Sequence, residues 1–327
     1  MRNLRLEIAH VSSPLRAAFA ISRGAKTHAE TVRVRISDST NAGRGEGVPY
    51  ARYGETVDSV TAALESVRCQ VEAGIDLATL QLTLPAGAAR CALDCALWDL
   101  EAKRAGRPVW QLAGLPEPKP LETALTISLA DPAAMAEAAK RAPGRLLKLK
   151  LGGPEDLHRL KAVHLARPDA RLILDANEGL APDAYPAIAM AAAKLGVALI
   201  EQPFPAGNDD ALINRPGPVA VCADESAHTS SDIQTLARAY DAVNVKLDKA
   251  GGLTEALAMV RTARQSGMGV MVGCMVAGSL SMAPTVLLAG LADVADVDGP
   301  LWLEADIEDG LAFMDGMVSP PSPALWG

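Results

Sequence analysis

The sequence has no surplus of basic residues: 31 Lys and Arg stand against 39 Asp and Glu in 327 residues, a formal net charge of −8. The basic residues are also scattered. Phosphate backbones are bound by clustered positive charge, so nucleic acid is not an expected partner. Cysteine is scarce and shows no pairing pattern: Cys69, Cys91, Cys95, Cys222 and Cys274 are odd in number and widely spaced. That argues for buried thiols in a reducing cytoplasm rather than a disulfide framework. Cys91 and Cys95 would share a helix face, yet no second Cys/His pair at zinc spacing accompanies them. The opening stretch MRNLRLEIAH has no uncharged apolar core, so no signal peptide is expected. Residues 265–292 carry no charge at all, but glycines, serines and Pro284 interrupt them. They read as a buried strand, a loop and a helix start, not as a membrane span.

What is present is a repeat. From about residue 120 onward, short apolar runs end in a polar or charged residue, and each is followed by an Ala/Leu-rich helical segment. The runs are ALTISL (124–129), LLKLK (146–150), LILDAN (172–177), VALIEQP (197–203), VAVCADES (219–226), AVNVKLDK (242–249), GVMVGCM (269–275) and VADVDGP (294–300). Successive strand ends lie 22 to 27 residues apart, enough for one strand, one helix and two short loops. Eight such units mean a (β/α)8-type barrel or a very wide doubly wound sheet. No glycine-rich dinucleotide fingerprint follows any strand, which favours the barrel. The first 115 or so residues differ. RNLRLEIAHV, TVRVRISD and GRGEG read as an antiparallel sheet, and ETVDSVTAALESVRCQVEAG and AARCALDCALWDLEAKRAG show helical periodicity. The expected division is an α+β capping domain over 1–115, completed by a returning tail at about 310–327, and a barrel over 116–309.

In a barrel, function gathers at the C-terminal ends of the strands, where every charged marker here lies. Asp175, Glu201 and Asp224 end three consecutive strands. Three converging carboxylates repel unless a cation sits among them, and an oxygen-only set with open positions suits Mg²⁺ better than zinc. Lys148 and Lys150, on the second strand, and Lys246, on the sixth, flank that group from opposite sides. An ammonium becomes a base when neighbouring cations lower its pKa. A metal holding a carboxylate, with a base on either face, suits removal and return of the proton α to that carboxylate. The five histidines fall outside these strands, so Ser/His and His/Asp schemes lack support.

Taken together, KLK, LDAN, IEQP, CADES and VNVKLDKAGGLTEA, with the helix AARCALDCALWDLEAK, resemble the strand motifs of the enolase superfamily, muconate-lactonizing subgroup. The resemblance spans essentially the whole chain. It implies a modified (β/α)7β barrel, Mg²⁺ on Asp175, Glu201 and Asp224, Lys150 and Lys246 as the acid/base pair, and Lys148 as the accompanying lysine. ADVDGP places Asp296 and Asp298 at the last strand end, similar to the Asp-x-Asp motif of the dipeptide epimerases in that subgroup. Two anions there call for a cation, which the ammonium of a dipeptide supplies. The implied reaction is two-base epimerisation of a small dipeptide, L-Ala-D/L-Glu foremost, through an enediolate in murein peptide metabolism. Arg23 resembles the arginine that receives the glutamate side chain, and Thr126 would line the pocket. Cycloisomerase or o-succinylbenzoate synthase chemistry on the same groups, and a metal-free Schiff-base aldolase on Lys246, stay open. So does association into a homo-oligomer. A membrane partner is not expected.

Overall fold

The computed structural model describes residues 4–215 and 217–327. Strands β1 (Arg5–Ile21) and β2 (Gly24–Ser37) form a long antiparallel hairpin whose register shifts between Pro14 and Phe19. Strand β3 (Ala42–Gly47) adds to it antiparallel. Alternation puts Val32, Val34 and Ile36 on one buried face of β2, against Val60, Leu64, Leu93, Leu97 and Leu100. The sequence AGRGEG in β3 answers to the helix Ala88–Ala105 lying directly on it. A Cβ on Gly43, Gly45 or Gly47 would run into the carbonyl oxygen of Ala96, Ala92 or Ala88. Two strand residues and four helix residues each advance about 6–7 Å, so the glycine and alanine ladders stay in step. The other side of that helix grips the second half of the chain. Arg90 Nη2 donates to Ala250 O at 2.6 Å, Thr254 N to Asp94 Oδ2 at 3.0 Å, and Trp98 Nε1 to Thr254 Oγ1 at 2.9 Å.

After the short strand β4 (Leu121–Glu122) come β5 (Leu125–Ile127), β6 (Leu146–Lys150), β7 (Arg171–Asp175), β8 (Leu199–Glu201), β9 (Ala220–Ala223), β10 (Ala242–Val245), β11 (Gly269–Gly273) and β12 (Val294–Asp296). These eight lie in chain order in one sheet, with parallel neighbours. The two edges meet through three bonds. Ala124 N donates to Ala295 O at 2.8 Å, Val297 N to Thr123 Oγ1 at 2.9 Å, and Thr126 N to Asp298 Oδ2 at 2.7 Å. The sheet is thus a nearly closed barrel beside an antiparallel N-terminal sheet, the architecture expected from the repeat. The repeat is least regular after β8. There the turn Asp209–Leu212 replaces a helix, because Pro203, Pro205 and Gly207 interrupt helical continuation.

Leu147, Leu149, Leu172 and Leu174 face the surrounding helices. Leu146, Ile173, Leu199, Cys222, Ala242 and Met271 plug the barrel interior. Lys148 and Lys150 share the inward face with Leu146, which puts them above that plug. The uncharged run supplies β11 and the buried helix Ser279–Ala289. Among the described residues no helix is long and apolar enough to cross a membrane. Finally, β13 (Phe313–Met314) and β14 (Met317–Val318) pair with β4. The tail then docks on the helix Ala88–Ala105, where Trp326 Nε1 donates to Cys95 O at 3.1 Å and Gly327 N to Asp99 Oδ1 at 2.8 Å.

Candidate active site

The tip of the β1–β2 hairpin lies over the C-terminal mouth of the barrel. Ala20 N donates to Ser128 Oγ at 2.8 Å, Leu129 N to Ala20 O at 3.1 Å, and Ser22 Oγ to Asn177 O at 2.9 Å. Beneath it is a cavity of about 570 Å³, within the range that takes a small ligand. From the barrel it is lined by Lys150, Asn177, Asp224, Glu225, Lys246 and Cys274. The cap contributes Phe19, Arg23, Lys26, Tyr50, Arg52 and Tyr53.

Strand register sets the charged layer below. Lys150, Asp175 and Glu201 stand side by side on β6, β7 and β8. Lys148 Nζ sits among Asp175 Oδ2 at 3.0 Å, Glu201 Oε2 at 2.7 Å and Asp296 Oδ2 at 2.8 Å. Lys150 Nζ is 2.6 Å from Asp175 Oδ2, and Lys246 Nζ is 2.6 Å from Asp224 Oδ2. Two backbone distortions shape this rim. Asn177 and Glu178 after β7, and Gln202 after β8, take positive φ angles of 44°, 67° and 33°, a cost seen where a site dictates the chain path.

The electrostatics follow from burial and pairing. Burial opposes the charge of Asp175, but Lys148 and Lys150 overcome it and hold the carboxyl well below its usual range. Asp224 is likewise held low, against burial, by Lys246 and Lys249. Glu201 goes the other way: burial and then Asp175 push it up to about 8. Burial works against the Lys148 and Lys246 ammonium groups, yet the acids around them hold both pKa values well above the ordinary lysine value.

Among the described residues no three His, Cys, Asp or Glu side chains are closed on one ion-sized point; the carboxylates are drawn instead onto ammonium groups. The donor set nevertheless suits a hard cation. Below the rim, six buried carboxylates (Asp175, Glu201, Asp224, Glu225, Asp296, Asp298) face four buried ammonium groups (Lys148, Lys150, Lys246, Lys249). With Arg23 on Glu225 as a fifth cation, anionic charge is in surplus by one. Several oxygens here are buried without a hydrogen-bond donor: Glu201 Oε2, Glu225 Oε2, Asn177 Oδ1 and Asn244 Oδ1. Glu201 Oε2 is near Lys148 but not aligned with it. Uncompensated buried oxygens with excess negative charge are what an oxygen-ligated divalent ion relieves.

The residues expected from the sequence meet in part. Asp175, Glu201, Asp224, Lys148, Lys150 and Lys246 all converge on the mouth. Asp296 is bound to Lys148, and Asp298 accepts the backbone N–H of Thr126 at 2.7 Å. Neither acid lines the cavity, nor does the Thr126 side chain. Arg23 reaches the rim but is engaged by the protein's own acids, at 3.0 Å from Glu178 Oε2 and 2.8 Å from Glu225 Oε1. Sequence reasoning passed over Lys249, whose ammonium is 2.6 Å from Asp224 Oδ1, and Asn244, whose Nδ2 donates to Glu201 Oε1 at 2.8 Å. Asn244 precedes Lys246 by two on the same strand, so alternation alone points it inward.

Comparison with known proteins covers both halves. Residues 3–114 match the model for the mandelate racemase / muconate lactonizing enzyme N-terminal domain, and residues 131–324 that for the enolase C-terminal domain-like unit. The chain is 44% identical to an L-Ala-D/L-Glu epimerase from Escherichia coli (strain K12), over 93% of this chain and 95% of that one. It is 42% identical to an N-acetyl-D-glutamate racemase from a Pseudoalteromonas species, over 90% of this chain and 94% of that one. Among solved structures it resembles an enolase family member from Agrobacterium tumefaciens with homology to dipeptide epimerases, which has bound sodium, L-Ala-L-Glu and an ordered loop. That match has a TM-score of 0.97 and 48% identity, and covers 99% of this chain and 100% of the other.

Proposed function

The chain belongs to the mandelate racemase / muconate lactonizing enzyme family of the enolase superfamily, and on that premise we propose that it is an isomerase that epimerises small dipeptides, L-Ala-D/L-Glu foremost. One observation carries the reading: ammonium groups stand on opposite walls of one cavity, with three carboxylates between them. Lys150 ends β6 and Lys246 follows β10. Four strands apart in a ring of eight, they face each other across the mouth. Of the strands between them, β7 ends in Asp175, β8 in Glu201, and Asp224 directly follows β9.

Those three acids would hold a divalent cation, Mg²⁺ by the hardness of the oxygen set. When bound, it supplies positive charge against the substrate carboxylate. The chain does the rest. Lys150 takes or returns the α-proton on one face and Lys246 on the other, which inverts the carbon. Lys148 stays charged among its acids. Were Asp224 engaged by such an ion, Lys246 would lose the partner that holds its pKa up and would move toward the range where a lysine is a base. Asp296 and Asp298, outside the cavity lining and bonded to Lys148 and to the Thr126 N–H, would have to turn from those partners to take the substrate ammonium. The same reading makes residues 1–115, with about 310–327, a capping domain over a catalytic barrel at 116–309. The tail's bonds to the helix Ala88–Ala105 support this. We infer a role in murein peptide metabolism, where dipeptides of this kind would be released.

A second reading is racemisation of an N-acylated amino acid. Two observations favour it: the 42% identity to the N-acetyl-D-glutamate racemase, and the absence of Asp296 and Asp298 from the cavity lining. Incubation in D₂O with Mg²⁺ tests the proposal. L-Ala-L-Glu is expected to gain deuterium at the glutamate α-carbon and to yield the D-epimer. Exchange of N-acetylglutamate alone would select the second reading, and exchange of neither would overturn both.

A further inference from the structure

The barrel repeat breaks after β8, and the turn that replaces the missing helix reaches back to the acid set. That turn, Asp209–Leu212, carries Asp209, which does not line the cavity. Asp209 Oδ1 accepts two hydroxyl protons, from Ser226 Oγ at 2.6 Å and from Tyr240 OH at 2.6 Å. A carboxylate can only accept, and each hydroxyl has one proton to give. Ser226 and Tyr240 can therefore only accept from their other partner, Gln202. The Gln202 Nε2 stands 2.9 Å from Ser226 Oγ, from Tyr240 OH and from Phe204 O.

The far end of the same amide is fixed by the opposite logic. Gln202 Oε1 accepts the backbone N–H of Asp224 at 2.8 Å and that of Ser226 at 3.2 Å, groups that can only donate. Every bond thus runs one way through the fully buried Gln202 side chain: backbone to amide, amide to hydroxyls, hydroxyls to Asp209. Bonds aligned in this way polarise and strengthen one another. Gln202 also directly follows Glu201 and takes a positive φ of 33°, a conformation that persists only where the surroundings over-determine it. Its own N–H donates to Cys222 O at 2.9 Å. One side chain therefore ties the end of β8, which carries Glu201, to the segment after β9, which carries Asp224.

We propose that Asp209 is a positioning residue for the acid set: through Gln202 it holds Glu201 and Asp224 at the separation that a small, hard cation requires. The inference rests on the divalent-ion reading for its ion-size readout, and on hydrogen-bond geometry alone for the positioning. Mg²⁺ demands near-ideal octahedral ligation at about 2.0–2.1 Å, whereas Ca²⁺ accepts irregular shells at about 2.3–2.6 Å. Loosened acids therefore lose more affinity for Mg²⁺ than for Ca²⁺. Loss of the Asp209 charge by itself would weaken both ions alike, because both are divalent.

The test is the ratio of the Ca²⁺ to the Mg²⁺ dissociation constant, measured by titration calorimetry without substrate. Asp209→Ala should lower the ratio about tenfold. Asp209→Asn, which loses the charge but keeps an oxygen for both hydroxyls, should retain most of it. Tyr240→Phe cuts one arm of the chain and should lower the ratio by less. Gly45→Ala strains the capping sheet instead and should leave the ratio unchanged. An unchanged ratio in D209A, or an equal fall in G45A, overturns the assignment. A second readout needs no metal. In ion-free protein, D209A should lose amide protection at Asp224 and Ser226, while Val221, whose N–H donates to Asp241 Oδ2 at 2.8 Å, keeps it. Unchanged protection at both amides also overturns the assignment. If the wild type binds neither ion, yet protection at Asp224 and Ser226 still depends on Asp209, the metal reading fails and the positioning role stands.

Discussion

Replacing Arg23 with Met removes the cation shared by two barrel carboxylates, and the structure sets the size of the effect. The Glu225 side chain is 2% exposed, Glu178 8% and Arg23 26%. Breaking a fully buried pair from one side costs about 3–5 kcal/mol. Here water reaches the arginine, and Arg52 stays 2.7 Å from Glu178 Oε1, so about 2 kcal/mol is the appropriate figure. Hairpin closure should therefore weaken by about thirtyfold. The change should be local to the hairpin tip, which is otherwise tied by Ala20 N to Ser128, Leu129 N to Ala20 O and Ser22 to Asn177, while lower down β1 stays held through Leu15 and Arg16 on Leu303. Hydrogen exchange reads it directly. The amides of Ala20 and Leu129 should lose protection by up to about thirtyfold, while the β2–β3 amides keep theirs. A Glu225→Gln partner variant completes a double-mutant cycle and should show coupling between the two positions. Unchanged protection at Ala20 and Leu129 in a folded R23M protein would refute this role of Arg23 in holding the hairpin closed.

Other expectations bear on the site and on the fold. Chelation should abolish turnover, and Asp224→Asn should weaken Mg²⁺ binding measured calorimetrically; full activity after exhaustive chelation would contradict the metal site. Asp298→Asn should cost a free dipeptide roughly a hundredfold in kcat/KM, the low end of one-sided loss of a buried pair, and an N-acetylated dipeptide much less. Equal wild-type rates for the two substrates would remove the role of Asp296 and Asp298. Gly45→Ala should lower thermal stability by at least about 1–3 kcal/mol, since its Cβ meets the Ala92 carbonyl of the underlying helix. An unchanged melting temperature would mean that strand and helix can separate without cost.

How much of this was legible in the sequence depends on what each signal required. Buried parallel strands announce themselves as short apolar runs, and the inward direction of Lys148 and Lys150 follows from alternation with Leu147 and Leu149 alone. The acid set follows from three consecutive strand ends. Strands such as β4, β13 and β14 are two residues long and carry no period to read. The pairing of Arg23 with Glu178 and Glu225 joins residues more than 150 positions apart, and nothing local encodes it. Asp296 and Asp298 alternate as expected, but their bonds to Lys148 and the Thr126 backbone depend on how β12 meets β5 at the barrel seam.

The central claim is that Lys150 and Lys246 act independently on opposite faces of one carbon, and single-enantiomer exchange in D₂O tests it most directly. With Mg²⁺ present, Lys150→Ala should lose α-proton exchange from one epimer of the substrate while the other still exchanges through Lys246, and Lys246→Ala should show the reverse. Net epimerisation should vanish in both. Loss of exchange from both epimers in either variant, with the protein folded and metal-bound, would contradict the two-base account.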